Sequence, residues 1–329
     1  MQTVDIVLCT DNNYIIPTGV LITSLLYTNP NINITFHVVS EELSNKSKED
    51  LNKCLIKKYS QVFYYIVNKK TLEHCPIRVH DHITIATYFR IVFPTILPQS
   101  INKILYLDGD IICIDKILDL WNIDISDSAA GVVPDIYNDD IRINNRLKIP
   151  INSGYFNAGV MLINLEYWRT HNIERKTLDF IAEYPDRCIA HDQDALNVIL
   201  NGKTKYIHPR YNVQFKYFGD KNLMFIHEKY HPDIDEAVLN PCLLHFTGYE
   251  KPWHCECLYP LKNIWFYFLR KTKWHNLKIT HKYRGKQLIV YKFRKLLALF
   301  NLVNNNSFNK DMYIENEYKI LNRLNGFAK

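Results

Sequence analysis

The 329-residue sequence contains no uninterrupted apolar run that approaches the ~20 residues needed to span a bilayer. Its opening segment, MQTVDIVLCT, lacks a basic stretch followed by a long apolar one, which argues against a secretory signal peptide. The eight cysteines form no Cys-x-x-Cys pair, and Cys255 and Cys257 beside His254 match no standard zinc motif. We therefore expect a cytoplasmic chain that starts at Met1 and keeps free thiols.

Acidic residues are missing from residues 257–310, which contain 12 Lys and Arg. In contrast, residues 1–256 contain 25 Lys and Arg against 31 Asp and Glu. The basic block includes the aromatic segment WFYFL at 265–269 and an apolar stripe at helical spacing, formed by Ile289, Phe293, Leu296, Phe300 and Val303. This combination predicts a helix on an anionic membrane surface, unless the stripe packs on the rest of the protein. No nucleic-acid recognition motif is present, so nucleic acid is not an expected partner.

The first two-thirds of the sequence alternates strand-like and helix-like segments, which is typical of a mostly parallel sheet covered by helices. Strands are predicted at residues 4–10, 34–40, 61–67, 103–107, 129–134, 157–165 and 242–248. Helices are predicted after Pro17, from Ser44 to Tyr59 and at 191–202. We expect an α/β catalytic domain over residues 1–256 and a smaller basic, mainly helical region over residues 257–329.

Ionisable residues lie at or just beyond the ends of several predicted strands, namely Asp11, Asp108, Asp110, Asp135 and His245. Asp108 and Asp110 flank Gly109, so both carboxylates can leave the strand in the same direction and bind Mg²⁺ or Mn²⁺ against phosphate oxygens. One alternative to a metal site is that residues 108–110 form a simple polar turn. Another is a phosphotransfer enzyme in which Asp108 is the nucleophile, although that motif usually lies near the start of a chain.

A second polar segment, HFTGYEKPW at 245–253, follows the last predicted strand. A neutral imidazole at His245 can be a third metal ligand, or a structural hydrogen-bonding group. Gly248 permits a close approach of the backbone to a phosphate, and Lys251 supplies the positive charge that diphosphate binding requires.

A third polar segment, Asp192-Gln193-Asp194, opens the helix predicted at 191–202. Acidic charge at a helix N-terminus is favourable in itself, by ~0.5 kcal/mol. The functional interpretation is that these three side chains form a polar cluster that contacts a sugar.

Six segments in order resemble glycosyltransferase family 8, the retaining enzymes that include bacterial lipopolysaccharide galactosyl- and glucosyltransferases and glycogenin. They are the segment from Asp5 to Tyr14, ATYFR at 86–90, LYLDGD at 105–110, YFNAGV at 155–160 with NL at 164–165, DQD at 192–194 and HFTGYEKPW at 245–253. The resemblance covers about residues 4–254. It implies a GT-A-type, Rossmann-like fold, a UDP-hexose donor and Mn²⁺, with Mg²⁺ as the alternative.

The resemblance also implies roles for individual residues. Asp108, Asp110 and His245 resemble the metal ligands. The implied donor-binding residues are Cys9, Asp11, Asn13, Arg90, Asp108, Gly109, Asp135, Asn157, Gly248 and Lys251. Within that set, Cys9, Asp11 and Asn13 correspond to positions near the uridine. Asp192 and Gln193 are the implied catalytic residues, with Gln193 near the β face of the reacting carbon.

The implied reaction transfers glucose or galactose, with retention, to a lipopolysaccharide-core or lipid-linked saccharide at the inner face of the cell membrane. An amide at Gln193 is a poor nucleophile, which favours front-face attack over double displacement. Two alternative functions remain: phosphotransfer through Asp108, and a sugar-nucleotide-binding protein without activity.

Overall fold

The computed structural model describes residues 2–56, 60–77, 84–249, 251–257, 259–299 and 310–327. The strands in these ranges are β1 (Thr3–Thr10), β2 (Asn33–Ser40), β3 (Gln61–Ile66), β4 (Lys103–Leu107), β5 (Ile111–Cys113), β6 (Ala130–Pro134), β7 (Phe156–Asn164), β8 (Thr204–Tyr206), β9 (Val213–Gln214) and β10 (Leu243–His245).

The α-helices are α1 (Ile15–Thr28), α2 (Asn45–Asn52), α3 (Phe93–Ile96), α4 (Leu118–Trp121), α5 (Ile141–Leu147), α6 (Leu165–Thr170), α7 (Ile173–Glu183), α8 (His191–Ile199), α9 (His231–Leu239), α10 (Lys262–Leu269), α11 (Gly285–Leu299) and α12 (Lys310–Gly326). Short 3₁₀-helices occur at Lys69–Leu72, Ile85–Val92, Pro209–Tyr211, Phe215–Phe218, Asp220–Phe225 and Glu228–Tyr230.

Seven strands form the main sheet in the order β3-β2-β1-β4-β7-β6-β8. Neighbouring strands are parallel except where β7 pairs with β4 and β6. Alternate residues of β1 bury on opposite faces, with Ile6 and Leu8 in one apolar cluster and Val7 and Cys9 in another. Helices cover both faces, as parallel strands require. The predicted α/β architecture with a mostly parallel sheet is confirmed.

The helix α1 is apolar on nearly all sides because it lies between two sheets. Leu21 and Leu25 pack on the main sheet, whereas Val20 packs against the small second sheet. Pro17 occupies the first helical turn, as the sequence predicts. The next helix, α2, begins after the predicted N-cap Ser44 but ends at Asn52 rather than at Tyr59.

The second sheet has the order β5-β10-β9 and brings two distant parts of the chain together. The strand β5 follows the Asp-Gly-Asp turn at 108–110, and β10 pairs with it in the antiparallel direction. The register places His245 opposite Ile111. A residue more than a hundred positions away therefore lies beside the turn.

The basic C-terminal region has buried and exposed parts. Trp265 and Phe268 of α10 are buried in the same apolar cluster as Ile320 and Leu324 of α12 and the second sheet, so the aromatic segment 265–269 packs inward rather than on a membrane. In contrast, the stripe on α11 is exposed, at 69% for Ile289, 59% for Phe293 and 49% for Leu296. Phe300 and Val303 lie outside the described residues. The domain boundary at 256 remains a prediction.

No helix in the described ranges is long and apolar enough to cross a membrane.

Candidate active site

Three side chains suited to metal binding meet where β4 and β10 end. His245 Nε2 lies 3.3 Å from Asp110 Oδ1 and 3.7 Å from Asp108 Oδ2. One ligand atom from each of the three residues lies within 4.8 Å of the other two. His245 and Asp110 are buried, while Asp108 is half-buried. The pairing of β5 with β10 produces this cluster, since it holds the Asp-Gly-Asp turn against the end of β10.

Hydrogen bonds behind His245 fix which ring nitrogen carries the proton. Asn157 Oδ1 accepts the Gly159 N–H at 3.1 Å and an N–H of Asn212 Nδ2 at 2.9 Å. Asn212 therefore turns its Oδ1 towards His245 Nδ1, 2.8 Å away, and Nδ1 must donate. Nε2 then faces two carboxylates, and a cation bound among the three side chains would take up its lone pair. Two carboxylates and a neutral imidazole fit a divalent metal ion.

A glycine provides the space that this cluster needs. A Cβ on Gly159, in β7, would lie 2.2 Å from His245 Cε1 and 2.8 Å from Asp108 Oδ2, closer than real Cβ contacts. Gly159 is not among the predicted site residues, although a glycine inside a buried strand indicates a close approach. Asn212 is also missing from the prediction, and no motif around it distinguishes it from other buried polar residues. A Cβ on Gly109 would meet the ring of Tyr14 at 3.0 Å.

Lys251 reaches the metal cluster from the loop after β10. Its ammonium forms an ion pair with Asp110 and donates to the carbonyl of Phe246 at 2.7 Å. Burial acts to raise the pKa of the Asp110 carboxyl, but Lys251 and His245 outweigh it and lower this pKa well below its ordinary value. Gly248 has a φ of +85°, which favours glycine, and it lets the loop turn back towards the cluster.

Arg90, in the 3₁₀-helix Ile85–Val92, lies buried between two carboxylates. Its Nη2 is 3.1 Å from Asp108 Oδ1, and its Nε is 2.9 Å from Asp192 Oδ2. Burial acts to lower the pKa of the guanidinium, but Asp108 and Asp192 raise it above its ordinary value. The Tyr106 ring lies 4.7 Å from the guanidinium carbon, and its hydroxyl donates to Asp108. Arg90 therefore connects the metal cluster to the start of α8.

The amide of Gln193 is held on both sides. Its Oε1 accepts the Ala158 N–H at 2.9 Å, and its Nε2 donates to Tyr155 Oη at 3.1 Å and to Asp135 Oδ2 at 3.3 Å. Asp135 Oδ2 also accepts from Asn157 Nδ2 at 3.0 Å. Burial raises the pKa of the Asp135 carboxyl, although these hydrogen bonds oppose it. The three predicted residues Asp135, Asn157 and Gln193 thus form one network.

The carboxylate of Asp194 is held entirely by contacts within the protein. It is fully buried and forms an ion pair with Arg146, whose Nη1 lies 2.6 Å from Asp194 Oδ2. The same carboxylate accepts from the Tyr155 hydroxyl at 2.7 Å and from the Ala190 N–H at 2.6 Å. These contacts occupy both oxygens and fix the helix that carries Gln193.

Asp192 differs because one of its oxygens has no hydrogen bond. Its Oδ1 accepts from the Thr87 hydroxyl at 2.7 Å, but the buried Oδ2 has no hydrogen-bond partner in the part of the chain that the structure describes. Arg90 is close to this Oδ2, yet its Nε–H points to the carbonyl of Thr87. Burial raises the pKa of the Asp192 carboxyl, although Arg90 opposes it. The charge of Arg90, rather than a hydrogen bond, therefore compensates this buried oxygen.

A cleft of about 280 Å³ lies beyond the end of β1, at the same edge of the sheet. Asp11, Asn13, Glu41 and Thr84 contribute to its lining. Asp11 Oδ1 accepts the N–H of Asn13 at 2.8 Å, which shapes the turn after β1. Cys9 is not part of this lining; it is buried in an apolar cluster, and burial raises the pKa of its thiol.

The sequence matches a known family over most of its length. The model of glycosyl transferase family 8 matches residues 5–257, the part that contains every side chain of the candidate active site. The chain belongs to glycosyl transferase family 8. The predicted family is confirmed, and membership favours a glycosyltransferase over the phosphotransfer alternative.

Relatives within the family come from several bacteria. General stress protein A of Bacillus subtilis (strain 168) is 31% identical over 282 residues, 83% of this chain and 95% of that protein. The lipopolysaccharide 1,2-glucosyltransferase of Escherichia coli (strain K12) is 29% identical, over 80% of this chain and 77% of the enzyme. The lipopolysaccharide 1,3-galactosyltransferase of Salmonella typhimurium is 27% identical, over 84% of this chain and 81% of that enzyme.

The fold of a solved galactosyltransferase is also similar. The galactosyltransferase LgtC, in complex with donor and acceptor sugar analogs, superposes with a TM-score of 0.75 at 26% identity. The match covers 82% of this chain and 96% of LgtC. The predicted GT-A fold is confirmed, whereas the roles of individual site residues remain predictions.

Proposed function

We propose that this glycosyltransferase moves glucose or galactose from a UDP-hexose to a saccharide acceptor, with retention of the anomeric configuration. The observation that carries the proposal is the placement of two groups of residues at one edge of the sheet. Asp108, Asp110 and His245 form the metal cluster, and Arg90 connects it to the network around Gln193. Cleavage of a sugar diphosphate needs both a site for the leaving phosphates and a polar pocket for the sugar.

The residues of the cluster suit a diphosphate leaving group. Negative charge grows on the departing UDP as the anomeric bond breaks, so positive charge must face it. Mn²⁺, when bound by Asp108, Asp110 and His245, would supply most of that charge. Lys251 would contribute the rest from its position beside Asp110. A protonated side chain at the leaving oxygen is then unnecessary.

The surroundings of Gln193 support front-face attack, in which the acceptor hydroxyl hydrogen-bonds to the leaving phosphate. Gln193 can orient the donor sugar or stabilise positive charge at the anomeric carbon, but an amide is a poor nucleophile. Asp194 is occupied by Arg146 and Tyr155 and is fully buried. Asp192 is held beside Arg90, whose Nε lies 2.9 Å from its Oδ2, and is therefore poorly placed to attack the anomeric carbon.

We also propose a lipopolysaccharide-core or lipid-linked saccharide as acceptor, with the enzyme bound peripherally to the inner face of the cell membrane. The names of the two lipopolysaccharide transferases among the relatives support this acceptor class. The exposed apolar side chains of α11, in a block without acidic residues, support attachment to an anionic surface.

The product linkage tests the reaction. The protein is incubated with UDP-glucose or UDP-galactose, Mn²⁺ and an oligosaccharide acceptor, and the product is examined by proton NMR. The donors are α-linked, so the proposal predicts an α-glycoside. A β-glycoside would refute retention, and the absence of turnover with every UDP-hexose would leave only a binding protein.

Flotation with vesicles tests the membrane proposal. The double variant Ile289→Ser/Phe293→Ser removes two exposed apolar side chains, and its flotation with anionic vesicles should fall well below that of the wild type. A matched control is Ile151→Ser/Met224→Ser, which removes exposed apolar side chains outside α11. Binding by wild type should also weaken with salt, since each Lys or Arg near the leaflet contributes ~1 kcal/mol. Equal flotation of all three proteins would refute the role of α11.

A further inference from the structure

A short segment of the basic region, residues 280–282, lies against the chain that follows the metal ligand His245. Thr280 forms a parallel bridge with His254. The Cys255 N–H donates to the Thr280 carbonyl at 2.9 Å, and the Thr280 N–H donates to the Trp253 carbonyl at 3.2 Å. We call residues 280–282 the brace and the described residues 246–249 and 251–254 the Lys251 loop. The brace ends three residues before α11 begins at Gly285.

Glu256 anchors the brace. Its carboxylate is fully buried and accepts from His281 Nδ1 at 2.8 Å and from the Lys282 N–H at 3.0 Å. Burial acts to raise the pKa of this carboxyl, but these hydrogen bonds lower it below its ordinary value. Glu256 is the last acidic residue before the basic block. A buried carboxylate needs such partners, which makes this contact specific.

The brace also contacts the near end of the Lys251 loop. Lys282 Nζ donates to the Tyr249 carbonyl at 2.7 Å and lies 4.2 Å from the centre of the Tyr249 ring. Thr280 contacts the far end of the loop, as described above, whereas His281 contacts Glu256 just beyond it. The brace therefore contacts the loop on both sides of its lysine.

Inside the loop, Lys251 is fixed by His254. The His254 N–H donates to the Lys251 carbonyl at 2.8 Å, and the Lys251 N–H donates to His254 Nδ1 at 3.2 Å. His254 Nδ1 is an acceptor because the Lys251 N–H donates to it, and burial and the charge of Lys282 lower the pKa of the imidazole. His254 is also the residue that bridges to Thr280. A chain of contacts thus runs from Glu256 through the brace and His254 to Lys251, whose ammonium lies beside Asp110.

We propose that Glu256 is a positioning residue for the glycosyl transfer: through the brace, it sets the conformation of the loop that presents Gly248 and Lys251 to the donor diphosphate. Only the kinetic consequence of this inference rests on the proposed function, because the conformation of the loop can be measured without substrate. Glu256 does not touch the metal cluster, and its effect is indirect.

Hydrogen–deuterium exchange of the full chain tests the proposal directly. Glu256→Ala and His281→Ala should both speed exchange in peptides that cover residues 248–256, while peptides of the main sheet stay protected. His281 is 40% exposed, so its variant removes a contact without emptying a buried site. The matched control is Glu317→Ala, which removes a carboxylate that accepts from Asn263 N and Nδ2, at 3.2 and 2.9 Å, away from the loop.

Steady-state kinetics with a UDP-sugar and Mn²⁺ provide the second measurement. We expect Glu256→Ala to raise KM for the donor about 10-fold, the range typical of residues that support a ligand from outside. Glu256→Gln, which keeps an acceptor for the Lys282 N–H, should recover part of the loss. The control variant Glu317→Ala should have the same donor KM as the wild type.

Unchanged loop exchange in both Glu256→Ala and His281→Ala would overturn the proposal, as would equal donor KM in Glu256→Ala and the control. If wild type turned over no UDP-sugar, the proposed function would fail, and the exchange experiment would still decide the role of Glu256.

Discussion

Replacing Gly159 with Ala should disable metal binding while leaving the sheet intact. The new Cβ would lie 2.2 Å from His245 Cε1, whereas carbon atoms in contact are roughly 3.5 Å apart. The imidazole must therefore retreat by about 1.3 Å, and Asp108 Oδ2, at 2.8 Å, must also move. Metal–ligand distances tolerate only about 0.2 Å. We expect the affinity for Mn²⁺ to fall by at least about 10- to 100-fold.

Calorimetric titration of Mn²⁺, with and without UDP, measures this effect, and urea denaturation measures the stability. Overpacking of this kind costs about 1–3 kcal/mol of unfolding free energy. The matched control is Gly131→Ala in β6, where the nearest atom, Ile207 Cγ2, lies 3.3 Å from the new Cβ and no metal ligand is near. The control should bind Mn²⁺ like wild type. Wild-type affinity in folded Gly159→Ala would refute the arrangement of Asp108 and His245 as metal ligands.

Three further predictions concern the same site. Asp108→Asn and Asp110→Asn should each abolish transfer, because each removes a charged ligand; calorimetry should show UDP binding without Mn²⁺ dependence, and full activity would contradict the assignment. Gln193→Ala should slow transfer strongly, whereas Gln193→Glu should give no faster enzyme; a covalent glycosyl adduct detected by mass spectrometry would oppose front-face attack. Arg146→Met should lower the unfolding free energy by about 3 kcal/mol, because Asp194 loses its buried partner. The double variant Arg146→Met/Asp194→Asn should recover part of this loss, and urea denaturation measures both variants.

Much of the main sheet could be predicted from the sequence, because its strands are long apolar runs that end in polar turns. The short strands β5, β8 and β9 could not, since two or three residues carry no recognisable period. The second sheet, which brings His245 to Asp110, depends on such strands. Its existence follows from tertiary pairing rather than from local pattern.

The candidate site was predictable where chemistry is concentrated in motifs. Asp108 and Asp110 lie two positions apart after a buried strand, and Lys251 belongs to a polar segment of nine residues. Gly159 lies within the segment at 155–160, but it acts by lacking a side chain, which a list of chemical groups misses. Asn212 lies in none of the six segments and acts by a hydrogen bond between distant elements. The apolar stripe of α11 was visible in the sequence, but only its exposure in the structure separates an outward face from an inward one.

The release of UDP from UDP-glucose and UDP-galactose tests the central claim most directly. The rate is measured for wild type and for Asp110→Asn, in Mn²⁺ and in a chelator, with an oligosaccharide acceptor present. The proposal predicts release by wild type in Mn²⁺ and none in the other three conditions. Release at the same rate in the chelator, or by Asp110→Asn in Mn²⁺, would contradict a metal-dependent transferase built on Asp108, Asp110 and His245.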